Sequence, residues 1–264
     1  MLNDFDLITH SFKDEIDIYP IADVHLGAVE HCEPQWQAFL KRVEQENAYL
    51  ILAGDLLNNS TRGTKFANPF DEVLRPREAK RRMVEYLEPL ARNGRILCMV
   101  SGNHEARSLR ESDCDLSYDI CSKLDIEHLY RENMAFMCVS VGNRKNEKKP
   151  ECTYTFAVTH GSGGGIYTGA SVNRNERTGN VIEGLDCFIA AHVHKGFVSK
   201  PAKIVIDKFN KCVTIKHYLV ISCVPWLAYA GYAARAMMIP AQSCDPQRLH
   251  LSAARNAKKI ETVW

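Results

Sequence analysis

The sequence predicts an α/β fold with a sheet-on-sheet core and helices outside, on three observations. Five short apolar runs read as buried strands, and each finishes in Asp, Asn or His. Helix-period patterns lie between the first three runs. Beyond about residue 134 the pattern changes and strands predominate, which suits two sheets packed together.

The first run is IDIYPIADVH, residues 16–25. A helix follows, with Trp36, Phe39, Leu40 and Val43 at i, i+3, i+4 and i+7 and Pro34 near its start. The run YLILAGD, 49–55, precedes a polar loop at 58–68. A second helix over 77–92 buries Ala79, Met83, Leu87 and Leu90, and Gly94 suits the position just past its end. After RILCMVSGNH, 95–104, a third helix is expected at 113–124 on Leu116, Ile120 and Leu124. Strands 134–141 and 152–159 read as a hairpin across the charged turn GNRKNEKKP. A Gly-rich segment, 161–169, leads through a polar stretch to the strand 185–191. Strands 203–207 and 212–223 flank Lys208-Phe209-Asn210-Lys211, and 259–264 supplies a last strand. No repeat, low-complexity tract or linker interrupts the chain. One domain over 1–264 is expected, with its motifs within 16–197 and a β-rich completion at 198–264.

Composition narrows the class. With 264 residues, 45% apolar and 25% charged, the chain can bury a substantial core. A net charge of +1 argues against nucleic-acid binding by sheer positive charge, while leaving room for local basic patches. The start, MLNDFDLITHSFKDEID, is acidic where a signal peptide is basic. The longest nearly uncharged run, 218–234, contains Ser222, Pro225 and Gly231 and is too short to span a bilayer. None of the ten cysteines forms a C-x-x-C motif. A cytoplasmic protein with reduced thiols and no membrane partner is the expectation.

The strand ends carry the chemistry. Ligands gather at the carboxyl ends of strands in helix-flanked sheets, because side chains from several strands converge there. Asp23 and His25 are two apart and would share one side of an extended segment, and His192 and His194 repeat that spacing. Asp55 follows Gly54, and Asn103 and His104 follow Gly102, where glycine permits a tight turn. His160 precedes Gly161. The seven candidate ligands are therefore Asp23, His25, Asp55, Asn103, His160, His192 and His194. One ion needs four to six ligands, so this inventory suits two. Two divalent cations against two carboxylates leave residual positive charge for a phosphate ester. Asp55 is the best bridge, since one carboxylate can contact both ions.

The series Asp23-Val-His25, Gly54-Asp55-Leu56-Leu57-Asn58, Gly102-Asn103-His104-Glu105, His160-Gly161 and His192-Val193-His194 resembles the calcineurin-like metallophosphoesterases. The resemblance implies a four-layer αββα sandwich of two mixed β-sheets flanked by helices. It implies one metal on Asp23, His25, Asp55 and His194, and a second on Asp55, Asn103, His160 and His192. His104 would contact the phosphate and protonate the leaving oxygen. Arg107 and Arg110, just after it, are candidates for substrate phosphate contacts. The last motif usually begins with glycine, and here Ala191 takes that place. Asp23-Val-His25-Leu26-Gly27 is most similar to the nuclease subunits of double-strand-break repair complexes and their small bacterial and phage relatives. Only 70 residues follow His194, too few for a cap like theirs.

The expected activity is metal-dependent hydrolysis of phosphodiesters, with DNA or nucleotides as substrate classes. Mn²⁺ is the first choice of ion, and N/O ligands also accept Fe, Zn, Co or Ni. Two alternatives stand: a small-molecule phosphomonoesterase or cyclic-nucleotide phosphodiesterase, and a silent interaction module on the same fold. The segment 161–169 lacks the Lys-Ser/Thr ending of a P-loop and reads as a loop beside the site. Glu105 reads as a group that orients loops, and Asn58 as either a turn residue or a brace for the site. His10, His31, His128, His217 and His250 read as packing or surface residues. The basic cluster 75–82 reads as a solvated helix face, and that at 195–216 as a candidate polyanion contact.

Overall fold

The computed structural model describes residues 3–61, 72–142, 151–165, 167–235, 237–253 and 258–264. The strands in chain order are β1 (Ile8–Phe12), β2 (Ile16–Ile21), β3 (Tyr49–Ala53), β4 (Ile96–Val100), β5 (Tyr130–Arg131), β6 (Met134–Val141) and β7 (Cys152–Thr159). There follow β8 (Cys187–Ala190), β9 (Phe197–Ser199), β10 (Ala202–Asp207), β11 (Cys212–His217), β12 (Leu219–Ser222), β13 (Arg248–Leu251) and β14 (Ile260–Val263). The helices that matter below are α1 (Glu33–Gln45), α2 (Pro76–Arg92), α3 (Glu105–Ser112), α4 (Leu116–Lys123) and α5 (Thr168–Asn180).

Two mixed sheets of six strands form the body. One runs β1-β6-β7-β8-β12-β9, the other β14-β13-β2-β3-β4-β5. Alternation along the first sheet sorts its side chains. Met137, Val139, Tyr154, Phe156, Val158, Ile189 and Ile221 join the main core shared with the second sheet. Ala157, Phe188, Ala190 and Val220 face the other way, where Val172 and Ile182 pack on them. Strand β3 is apolar and buried on both faces because α1, α2 and α4 lie on the outside of its sheet. The result is the four-layer αββα sandwich.

The chain after residue 197 completes both sheets. Strand β12 runs parallel to β8 in the first, and β13 runs antiparallel to β2 in the second. Strands β10 and β11 pair only with each other. No helix among the described residues is long and apolar enough to cross a membrane.

Four expectations need correction. The third helix, expected at 113–124, is α4, and a further helix not expected, α3, precedes it: Asp113 ends α3 with a left-handed φ of 54°, and Asp115 starts α4 by accepting the Tyr118 N–H. The polar stretch after the Gly-rich segment is helix α5, whose buried face is Ser171, Asn175 and Gly179, so it carries no apolar stripe to read. The run 212–223 is two strands in different sheets, separated at Tyr218. Strands β1, β5, β9 and β13 were not expected at all. The turn residues 143–150, and most of the loop 58–68, lie outside the described residues.

Candidate metal centre

Strands β2, β3 and β4 are parallel, so the segments that follow them emerge on one side. Those after β2 and β3 are zipped by backbone hydrogen bonds: Asp23 N–H to Gly54 O (3.1 Å), His25 N–H to Asp55 O (3.0 Å) and Leu26 N–H to Leu56 O (2.9 Å). The loops after β3 and β4 touch backbone to backbone. A Cβ on Gly54 would lie 2.8 Å from Gly102 Cα, and one on Gly102 would lie 2.2 Å from Asp55 N. Both positions therefore require glycine.

The expectation that Asp23 and His25 project from an extended segment is wrong in mechanism. Both have positive φ (51° and 49°), as do Asp55 (51°), His192 (72°) and His194 (53°). Each such non-glycine residue costs on the order of 1–3 kcal/mol, and strain of this kind persists where surrounding structure enforces it. Left-handed turns, not strand alternation, aim these side chains.

Their convergence is close. His194 Nε2 is 3.1 Å from His25 Nε2 and 3.3 Å from Asp23 Oδ1. His160 Nε2 is 3.2 Å from Asp55 Oδ2 and 3.0 Å from Asn103 Oδ1, and His192 Nδ1 is 2.7 Å from the same Asn103 oxygen. Asp55 Oδ2 is also 3.8 Å from His25 Nε2, so one carboxylate oxygen reaches both groups. Three trios fall within ligand range: Asp23–His25–His194, His25–Asp55–His104 and Asp55–His160–His192. All seven candidate ligands meet in one place.

Supporting bonds orient the donors. His160 Nδ1 lies 2.9 Å from Ala53 O, which leaves Nε2 for the site. Asp55 Oδ1 accepts the His104 N–H (2.9 Å), and Asp23 Oδ2 accepts the His192 N–H (3.1 Å). Glu105 is buried and accepts three backbone N–H groups: Asp55 (3.1 Å), Leu57 (2.8 Å) and Gly102 (3.1 Å). His104 Nδ1 bonds to Asn58 O (2.5 Å), and its Nε2 faces Asp55 Oδ2 at 3.8 Å. The carbonyl of Asn58, not its side chain, thus serves the site. Asn59 was missed in the sequence: it is buried at φ 44°, and its Nδ2 donates to His104 O (2.7 Å) and Ser108 Oγ (3.0 Å). Its signal was available, since Asn is among the few side chains that tolerate left-handed backbone.

Electrostatics fit cation binding. Burial holds His25 neutral, well below the usual histidine range. Burial also lowers His104 and His192. Burial alone would raise Asp55, but His160 and His104 outweigh it and hold its carboxyl well below the ordinary range. Burial lowers His160 too, yet the Asp55 charge wins and lifts it to about 10. Burial and the Asp55 charge push Glu105 up to about 7. Asp23 Oδ1 is buried without a hydrogen-bond partner while facing two imidazole nitrogens. Burial lowers His194, but the Asp23 charge outweighs it and raises that imidazole, so the same carboxylate that attracts a proton there is placed to attract a divalent cation among nitrogen donors.

Of the two arginines, Arg107 donates to Asn58 O (3.1 Å) and Asn59 O (3.3 Å), bracing the loop that holds His104. Arg110 is exposed and makes no hydrogen bond or ion pair among the described residues. Ala191 does not adopt positive φ, and its methyl is buried in the main core, so the glycine of the usual motif is dispensable here.

A sequence profile described as calcineurin-like phosphoesterase matches residues 16–196. The chain belongs to that family. It is a metal-dependent phosphoesterase, with Asp/His clusters able to hold metal. A solved structure from Streptococcus pneumoniae TIGR4, described as a conserved uncharacterized protein and predicted phosphoesterase, aligns at TM-score 0.36 and 9% identity. The alignment covers 94% of this chain and 98% of that one. No curated protein matches the chain.

Proposed function

We propose that this calcineurin-like phosphoesterase hydrolyses phosphodiester bonds within one domain spanning 1–264, with DNA as the first substrate class to test and Mn²⁺ as the activating ion. Asp23, His25, Asp55 and His194 would hold one ion, and Asp55, Asn103, His160 and His192 the other. The observation that carries this reading is the single Asp55 oxygen within reach of both donor groups. When bound, a pair of divalent cations neutralises phosphate charge and clamps the attacking and leaving oxygens of an in-line displacement.

The chain's own groups do the rest. His104 donates its Nδ1–H to Asn58 O, so Nε2 faces the site and, in the imidazolium form, gives its proton to the departing alkoxide, leaving the neutral Nδ1–H tautomer. Asn59 fixes the His104 backbone from behind, and Glu105 ties the loops of Asp55 and Gly102 together. Arg110 stands exposed one helical turn further on, where a substrate phosphate could reach it. The Asp23-Val-His25-Leu26-Gly27 resemblance favours a diester and DNA, and ten free cysteines accord with a cytoplasmic setting.

A second reading, a small-molecule monoester or cyclic-nucleotide substrate, is favoured by the net charge of +1. It is also favoured by the use of residues after 197 in completing the sheets rather than in a separate cap. The Mn²⁺-loaded protein should be offered a chromogenic diester, the matching monoester, and linear and single-stranded DNA. Diester and DNA cleavage is the expected result. Preference for the monoester selects the second reading, and inertness toward all of them overturns both in favour of a silent module.

A further inference from the structure

Strands β10 and β11 form a two-stranded ribbon whose outer edges pair with nothing among the described residues. Its register places Ile204 opposite Ile215 and Ile206 opposite Val213, so these four share one face. They are 77%, 68%, 78% and 66% exposed, and no charged side chain lies between them. The opposite face carries Lys203 opposite Lys216 and Val205 opposite Thr214. That face turns toward the body. Lys203 Nζ bonds to Gly179, Asn180 and Ile182 carbonyls at the end of α5, and Lys216 Nζ lies 3.9 Å from Asp186.

An isolated two-stranded ribbon is marginal in water, and contiguous exposed aliphatics usually mark an association surface. We infer that the Ile204–Ile206–Val213–Ile215 face docks on the same face of a second copy of this chain across a two-fold axis. An uncharged face is complementary to itself, whereas a like-charged one would repel its mate. Phe209, 85% exposed at the tip, extends the apolar surface. Covering these five side chains on two chains removes on the order of 1,200 Å² from water, the lower bound of a stable interface.

Other occupants fit less well. A polyanion needs cations, and two of the ribbon's four lysines are on the far face and engaged there. A lipid surface would favour apolar groups gathered at the tip, whereas here only Phe209 is apolar in the turn and the other four run along one side.

The inference is independent of substrate and can be tested on the full-length protein. Sedimentation velocity across the micromolar range should show a dimer. Ile204→Lys with Ile215→Lys should raise its dissociation constant more than about tenfold, while Val205→Lys with Thr214→Lys on the other face leaves it near wild type. All four positions lie on the projecting ribbon, and circular dichroism checks that both variants stay folded. A wild type that remains monomeric overturns the proposal, as does a dimer that survives the Ile204/Ile215 change. A monomer that floats with anionic vesicles through this face would assign it to lipid and also overturn the proposal.

Discussion

The loops after β2, β3 and β4 and those after β7 and β8 serve one centre but are held in different ways. The first group is joined backbone to backbone, with Gly54 against Gly102 and Glu105 collecting three N–H groups. The second group reaches across from the other sheet on a few bonds: His160 Nδ1 with Ala53 O, and the His192 N–H to Asp23. One half of the site is therefore fixed within its own sheet. The other half is positioned only when the two sheets dock. Asp23 and Asp55 sit on the fixed half, so the carboxylates are set by one sheet and the histidines after β7 and β8 are brought to them.

Breaking the shared residue should have the largest effect. Asp55→Ala removes the oxygen that both groups reach, and kcat/KM should fall more than about 10⁴-fold, beyond the loss of a general acid alone. Elemental analysis should find fewer than two ions per chain, and near-normal turnover would exclude a bridging role. His104→Ala leaves both ligand groups intact, so metal content should persist while turnover slows about 10²–10⁴-fold. Loss of metal in that variant would make His104 a ligand instead.

Two measurements sharpen the contrast between the halves. Glu105→Gln replaces one accepting oxygen with a donor facing an N–H group, which should cost about 1–3 kcal/mol in urea unfolding. Metal affinity should fall about 10–100-fold with it, as for other groups that orient ligands. Unchanged stability would mean that the fixed half does not depend on this carboxylate. The cross-sheet half should instead show its character through pH. His160 is lifted to about 10 by Asp55, so at neutral pH the metal-free protein holds a proton there that a cation must displace. Affinity should therefore fall as pH falls, by about tenfold per unit for one released proton. Calorimetry in buffers of different ionisation enthalpy counts that proton, and a pH-independent affinity would refute its displacement.

Much of this was legible in the chain. Trp36, Phe39, Leu40 and Val43 face the core as their spacing required, and every strand that ends in a candidate ligand was visible as an apolar run. Helix α5 was not legible, because Gly179, against Tyr218 and Phe188, gives close approach where an apolar stripe would give bulk. Asn59 was passed over because its task lies in the backbone it bends and the carbonyl it holds, neither of which sequence spacing records. The polar run and the loop asparagine share a cause: their partners are distant in the chain.

The sequence by itself determined the donor types, their order and the buried strands that carry them, since strand burial and ligand chemistry are written in residue type. Only the tertiary structure decided how they meet. Left-handed turns at Asp23, His25, Asp55, His192 and His194 aim the side chains, and such turns cost energy that no local preference supplies. Contacts between two packed sheets hold them, and those contacts exist only once the core between the sheets has formed.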